Sequence, residues 1–157
     1  LYVGRIRVEK GIFSLAGLIK NKRNIYLTVV GAEKQTSYKI NQSNIKIQLN
    51  QSNKARLIKY YDDHNIFVLP SFTEGHPMVL LEALARRRPV VIFDEIKHVI
   101  GNKKGIFVAK RNFLNFFGTL NFIKKNYKKI QKDMMKNKLP TNKEFIEEFV
   151  KAIEDYK

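Results

Sequence analysis

The chain has 157 residues, 44% of them apolar, which suits one domain with a hydrophobic core of its own. Lysine and arginine number 30 against 14 aspartates and glutamates, a formal charge of +16. No cysteine is present, which excludes disulfides and thiolate metal sites, and no apolar run approaches the roughly 20 residues of a membrane-spanning helix.

Leu1 to Gly4 reads as a short strand ending in glycine. No basic stretch precedes it as in a secretion leader, so the chain is expected to begin inside a larger protein. Gly11 to Lys20 carries Ile12, Leu15, Ala16 and Ile19 at helical spacing. Ile25 to Val30 is β-rich and stops at Gly31, and Ile45 to Leu49 alternates as an edge-like strand with one wet face does. Lys54 to Tyr61 is a helix by Leu57, Ile58 and Tyr61. Ile66 to Leu69 is a wholly apolar strand stopped by Pro70. Pro77 to Ala85 reads as a helix, Pro89 to Phe93 as a strand and Gly105 to Ala109 as another, the last preceded by the turn Gly101-Asn102-Lys103-Lys104. Phe113 to Ile130 is a basic amphipathic helix, and Pro140 ends that pattern. Thr141 then caps a last helix, with Glu144 three residues on completing a capping box.

Strand and helix alternate at the spacing of a Rossmann-like α/β fold, a parallel sheet with helices on both faces, followed here by a helical carboxyl-terminal tail. The whole chain, 1–157, is read as one domain.

The chemistry concentrates in Glu74-Gly75-His76-Pro77-Met78-Val79-Leu80-Leu81-Glu82. Pro77 suits the first position of a helix, where its missing amide costs nothing. The amides of Met78, Val79 and Leu80 would then point out of the helix start and, with the helix dipole, form an anion site. Gly75 allows a tight turn and a close approach by a ligand. Glu82 lies about 7.5 Å further along the axis, where it could receive the two vicinal hydroxyls of a ribose. Glu74 precedes the helix and would face the group beyond the phosphates. Arg5 and Lys10 follow the first strand, and in a parallel sheet their loop leaves from the same edge as the Glu74 loop, so both cations can offset the two carboxylates. Nucleotide-sugar recognition is the expectation.

Each feature also has a bland reading. Glu82 could pair with Arg86 on the helix surface. His76 suits a capping or solvated residue at a helix start, and Asp62-Asp63-His64 suits a polar turn before a strand better than a metal site.

These residues carry a resemblance. Tyr2-Val3-Gly4-Arg5 with Glu9-Lys10-Gly11, the Leu57–Tyr61 helix leading into Ile66–Ser71, and above all Glu74 and Glu82 with seven residues between them resemble the retaining glycosyltransferases of family 4. The part they match is the carboxyl-terminal, donor-binding half of the GT-B fold, over residues 1 to about 110. The resemblance implies that Arg5 and Lys10 bind the donor diphosphate and stabilise the departing nucleotide. Glu74 touches the donor sugar near its reacting carbon, the Met78 and Val79 amides hold phosphate, and Glu82 binds ribose. It implies no metal and no other cofactor, and an amino-terminal domain of the same longer chain as the acceptor-binding partner. Arg86-Arg87-Arg88 stand where many relatives have a small residue and glycine, which implies a more open helix end or an added acidic contact. The segment from Phe93 to Val99 departs from the usual glycine-containing loop.

Two other readings stay open at this stage: a non-catalytic nucleotide-sugar-binding or scaffolding module, and a basic domain that works through charge. The charge fits a lysine-rich proteome or contact with an anionic membrane, placing the protein in the cytoplasm or peripherally on the cytoplasmic membrane face. Dedicated nucleic-acid binding is not expected, for want of a basic strand face rich in aromatics.

Overall fold

A computed structural model describes residues 1–32, 40, 42–49, 53–141 and 143–144. In chain order the elements are β1 (Tyr2–Val3), α1 (Ile12–Ile19), β2 (Leu27–Ala32), β3 (Ile45–Leu49), α2 (Lys54–Asp62), β4 (Phe67–Leu69), α3 (Met78–Ala85), β5 (Val90–Phe93), a kinked 3-10 segment (Asp94–Val99), β6 (Ile106–Ala109) and α4 (Phe113–Met134). All four strand ladders are parallel, in the orders β1-β2-β3 and β4-β5-β6. The two sets meet where Leu1 donates its amine to the Ile66 carbonyl at 2.9 Å and accepts from the Val68 amide at 2.9 Å. The strands therefore run β3-β2-β1-β4-β5-β6. The order reverses between β1 and β4, so the loops leaving these two neighbouring strands bound one crevice.

The apolar runs explain the layers. Phe67, Val68, Leu69 and Val90 through Phe93 are all buried, as central strands covered on both faces require. Edge strand β3 keeps Lys46 exposed. Helices α1 and α4 share one face of the sheet, joined by Lys22 over the Phe113 ring at 4.1 Å. On the other face, Tyr61 of α2 packs on Phe67, their rings 5.7 Å apart. The fourth helix runs to Met134, one turn past Ile130, because Ile130 and Met134 lie on one buried stripe. Thr141 and Glu144 exchange the two capping-box bonds, at 2.7 and 3.2 Å. The helix they start is described only at residues 143 and 144, and the rest of the expected helix lies outside the described residues.

The triple-arginine end of α3 is closed, not open. Arg88 donates its amide to the Ala83 carbonyl and Arg87 to that of Leu84, both at 2.9 Å, the paired bonds of a Schellman cap. Arg87 itself occupies the left-handed position, with φ 53°. The added acidic contact is present: Asp62 receives both Arg86 and Arg88. Asp62 thus takes Arg86 away from Glu82. Glycine suits the left-handed position and a β-carbon does not, so Arg87→Gly is expected to stabilise the fold by about 1 kcal/mol. Thermal unfolding should register this as a midpoint higher by roughly 2–4 °C.

The Asp62-Asp63-His64 turn is structural. The His64 ring lies 2.6 Å from the Tyr60 carbonyl through Nδ1 and 2.7 Å from Thr28 Oγ1 through Nε2. A carbonyl only accepts, so Nδ1 carries the hydrogen and Nε2 accepts from the threonine hydroxyl. Burial is the largest cause holding the His64 pKa below its usual value. The ring is favoured neutral in the fold, so the unfolded chain binds more protons between the two states' pKa values. Stability is then present above the ordinary histidine pKa and falls as pH drops through it toward the lowered value. Urea midpoints should decline as pH falls below about 6.5, less steeply in His64→Asn. A flat profile in the parent chain would contradict the buried neutral ring.

Candidate active site

The loop after β1 and the loop after β4 meet at the carboxyl edge of the sheet. Gly11, at φ 64°, lies so close to the second loop that a β-carbon would sit 1.8 Å from the Pro70 carbonyl oxygen. The Phe72 amide donates to the Glu9 carbonyl at 3.0 Å, a second tie. These contacts carry Lys10 to Glu74. The Lys10 Nζ donates to Glu74 Oε1 at 2.8 Å, and buried Ser71 donates from Oγ to the same oxygen at 2.6 Å. Both donors use one carboxylate oxygen, and Oε2 has no partner among the described residues. Only 11% of the Glu74 side chain is exposed, so the carboxylate is held in place rather than free in solvent.

Arg5 is exposed at the other end of the β1 loop. Its carbonyl accepts from the Tyr2 hydroxyl at 2.7 Å. Burial pushes the Tyr2 hydroxyl up, with the charges of Glu74 and Glu9 adding to the rise and that of Arg5 opposing it. Arg5 therefore acts electrostatically on the hydroxyl that also feels Glu74.

Helix α3 begins at Met78, and Pro77 is its cap, extended at φ −75° and ψ 101°, not its first helical residue. The Pro77 carbonyl is thereby turned into the helix, where it accepts the Leu80 amide at 3.0 Å. Leu80 consequently offers no free amide, and its side chain is buried. The amides of Gly75, His76, Met78 and Val79 have no partner among the described residues, so the outward-pointing set survives without Leu80. His76 is exposed. Glu82 lies on α3, where its Oε2 accepts from the Tyr61 hydroxyl at 2.7 Å. Burial, followed by that bond, keeps the Tyr61 hydroxyl protonated well beyond its usual range.

Contacts of His98 and Arg111 that brace the Glu74 loop carry no signal in the motif itself. His98 places Nε2 2.7 Å from the Glu74 carbonyl. Arg111, just beyond β6, donates from Nη2 to the Pro70 and Ser71 carbonyls at 2.8 and 3.3 Å. Its guanidinium lies 4.1 Å from the Phe72 ring centre and 4.3 Å from that of Phe93, and its Nε reaches Glu95 at 2.8 Å. The departing segment from Phe93 to Val99 is thus a brace for the Glu74 loop. The signal available in advance was position: Arg111 follows a strand whose carboxyl end faces the same edge as β1 and β4.

A cavity of about 990 Å³ lies elsewhere, between α1 and α4 and lined by Leu15, Ile19, Phe113 and Phe117. The charged groups and free amides gather instead at the open sheet edge. Among the described residues no three or more histidines, cysteines or carboxylates cluster as a metal site would need.

The family model for glycosyl transferases group 1 matches residues 1–139. The chain belongs to that family. This glycosyltransferase domain is 35% identical over 114 residues to a Bacillus subtilis protein provisionally named as the teichuronic acid biosynthesis glycosyltransferase TuaC, covering 73% of the domain and 28% of the relative. It is 32% identical over 126 residues to the capsular polysaccharide biosynthesis glycosyltransferase CapM of Staphylococcus aureus, covering 71% and 33%. The domain therefore spans about a third of the length of these relatives. Among solved structures it resembles the carboxyl-terminal domain of a group 1 glycosyltransferase, LpcC, from Francisella tularensis. That match has TM-score 0.62 and 17% identity and covers 87% of this domain and 80% of that chain. The fold of the glycosyltransferase domain is of the GT-B type.

Proposed function

We propose that this chain is the donor-binding domain of a retaining glycosyltransferase that moves a sugar from a nucleoside diphosphate to a glycan or lipid-linked acceptor in polysaccharide synthesis. The observation that carries this reading is the convergence of Lys10, Glu74 and the unpartnered Met78 and Val79 amides at one sheet edge. The donor's two phosphates would lie between the helix start and the cations, where amides, helix dipole and ammonium together offset developing negative charge. Arg5 adds a planar fork of donors on the exposed side. Glu82, held through one oxygen by Tyr61, presents the other to ribose hydroxyls. Glu74 presents its unpaired oxygen toward the sugar. The leaving phosphate takes the acceptor's proton, and the amide-and-cation set does the charge neutralisation otherwise assigned to a metal. Acceptor recognition falls to an amino-terminal domain of a longer chain, so the isolated chain binds donor weakly and transfers nothing.

Calorimetric titration of the chain with UDP, GDP and ADP tests the reading. One of the three should bind, and Glu82→Ala should weaken it about tenfold through lost ribose bonds. If none binds, or if Glu82→Ala changes nothing, the ribose assignment fails.

A further inference from the structure

Helix α4 has a face that the donor site leaves unexplained. From Phe113 through Lys132 it contains no acidic residue and five lysines, Lys124, Lys125, Lys128, Lys129 and Lys132. All five are exposed, and none has an acidic partner among the described residues. The first acid on the helix, Asp133, pairs with Lys136 beyond the helix end. At about 100° per residue, the lysines and the exposed Leu114 and Phe122 fall in one arc of roughly 160°, opposite the buried Phe116, Ile123, Ile130 and Met134. Leu114 is 81% exposed and Phe122 53%, both near the amino-terminal half of the helix.

We propose that this face of α4 docks on an anionic lipid bilayer, holding the protein peripherally on a membrane. A row of unpaired lysines matches the negative surface potential of such a bilayer, each adding about fivefold to affinity. Leu114 and Phe122 supply apolar anchors at the depth where headgroups give way to acyl chains. Those anchors favour lipid over nucleic acid, because a bilayer offers a continuous apolar phase just beneath its charged surface. The bulk charge of the chain is a separate matter: α2 on the opposite sheet face is also basic, but its Lys59 is paired with Asp63 and it exposes a single large apolar side chain, Ile58.

Co-sedimentation of the 157-residue chain with vesicles decides the matter. Binding should be strong to phosphatidylcholine vesicles containing phosphatidylglycerol and absent with phosphatidylcholine alone. Changing Lys125, Lys128, Lys129 and Lys132 together to glutamine should lower affinity at least about a hundredfold. The same charge removed from the other side, with Lys46, Lys54, Arg56 and Lys59 changed to glutamine, should lower it less than about tenfold. Leu114→Ser, at a solvent-exposed position, should weaken vesicle binding without altering the circular dichroism. Equal losses from the two quadruple variants would overturn the proposal, leaving net charge as the cause. So would indifference to Leu114→Ser together with tighter binding to duplex DNA.

Discussion

Glu74→Gln is expected to reduce sugar transfer by about 10²–10³-fold in a polypeptide competent for the reaction, while nucleotide affinity changes less than about tenfold. The carboxylate is nearly enclosed and oriented by two donors on a single oxygen, so its second oxygen has a defined direction. Glutamine keeps the shape, removes the charge and can set an amide hydrogen against the Lys10 ammonium. A carboxylate acting on the sugar in the transition state is lost in turnover, not in ground-state nucleotide binding. Steady-state rates with separately measured nucleotide affinities give the split. Turnover within about threefold of the parent enzyme would remove Glu74 from the reacting sugar.

Arg111→Ala should lower stability by about 3 kcal/mol, moving the thermal midpoint down by roughly 10 °C. The substitution strands two carbonyls and the Glu95 carboxylate, and empties the space between two aromatic rings. Arg111→Lys should fall between the two, since an ammonium can reach Glu95 but lacks a plane to stack between Phe72 and Phe93. Melting curves of the three proteins make the comparison, and an alanine variant as stable as the parent would deny the brace.

The alternation of strands and helices was legible because buried parallel strands must be apolar along their length and covering helices must be amphipathic. Phe67–Leu69 and Val90–Phe93 are short apolar runs bounded by Pro70 and Pro89, too short for buried helices. Helix ends were harder. Proline is suited to both the cap and the first helical position, and Pro77 took the cap, which removed Leu80 from the free amides. Arg87 in a left-handed conformation carries no local signal at all, because its neighbours Arg86 and Arg88 are tied to Asp62, 24 and 26 positions earlier in the chain. The site divides the same way. Glu74, Glu82, Arg5 and Lys10 were visible as residue types at strand and helix ends. That Lys10 touches Glu74 across 64 positions, or that Arg111 reaches back 41 positions to Pro70, follows only from the strand order.

The contact between Gly11 and Pro70 has a consequence for how such a protein can change. A main-chain oxygen already fills the place of the missing side chain, so no larger residue can be admitted there without separating the ammonium from the acid. Variation at that junction would be felt first as altered spacing between the Lys10 ammonium and the Glu74 carboxylate and only afterwards as weakened folding. Specificity must therefore diverge elsewhere along the rim, with this seam kept narrow.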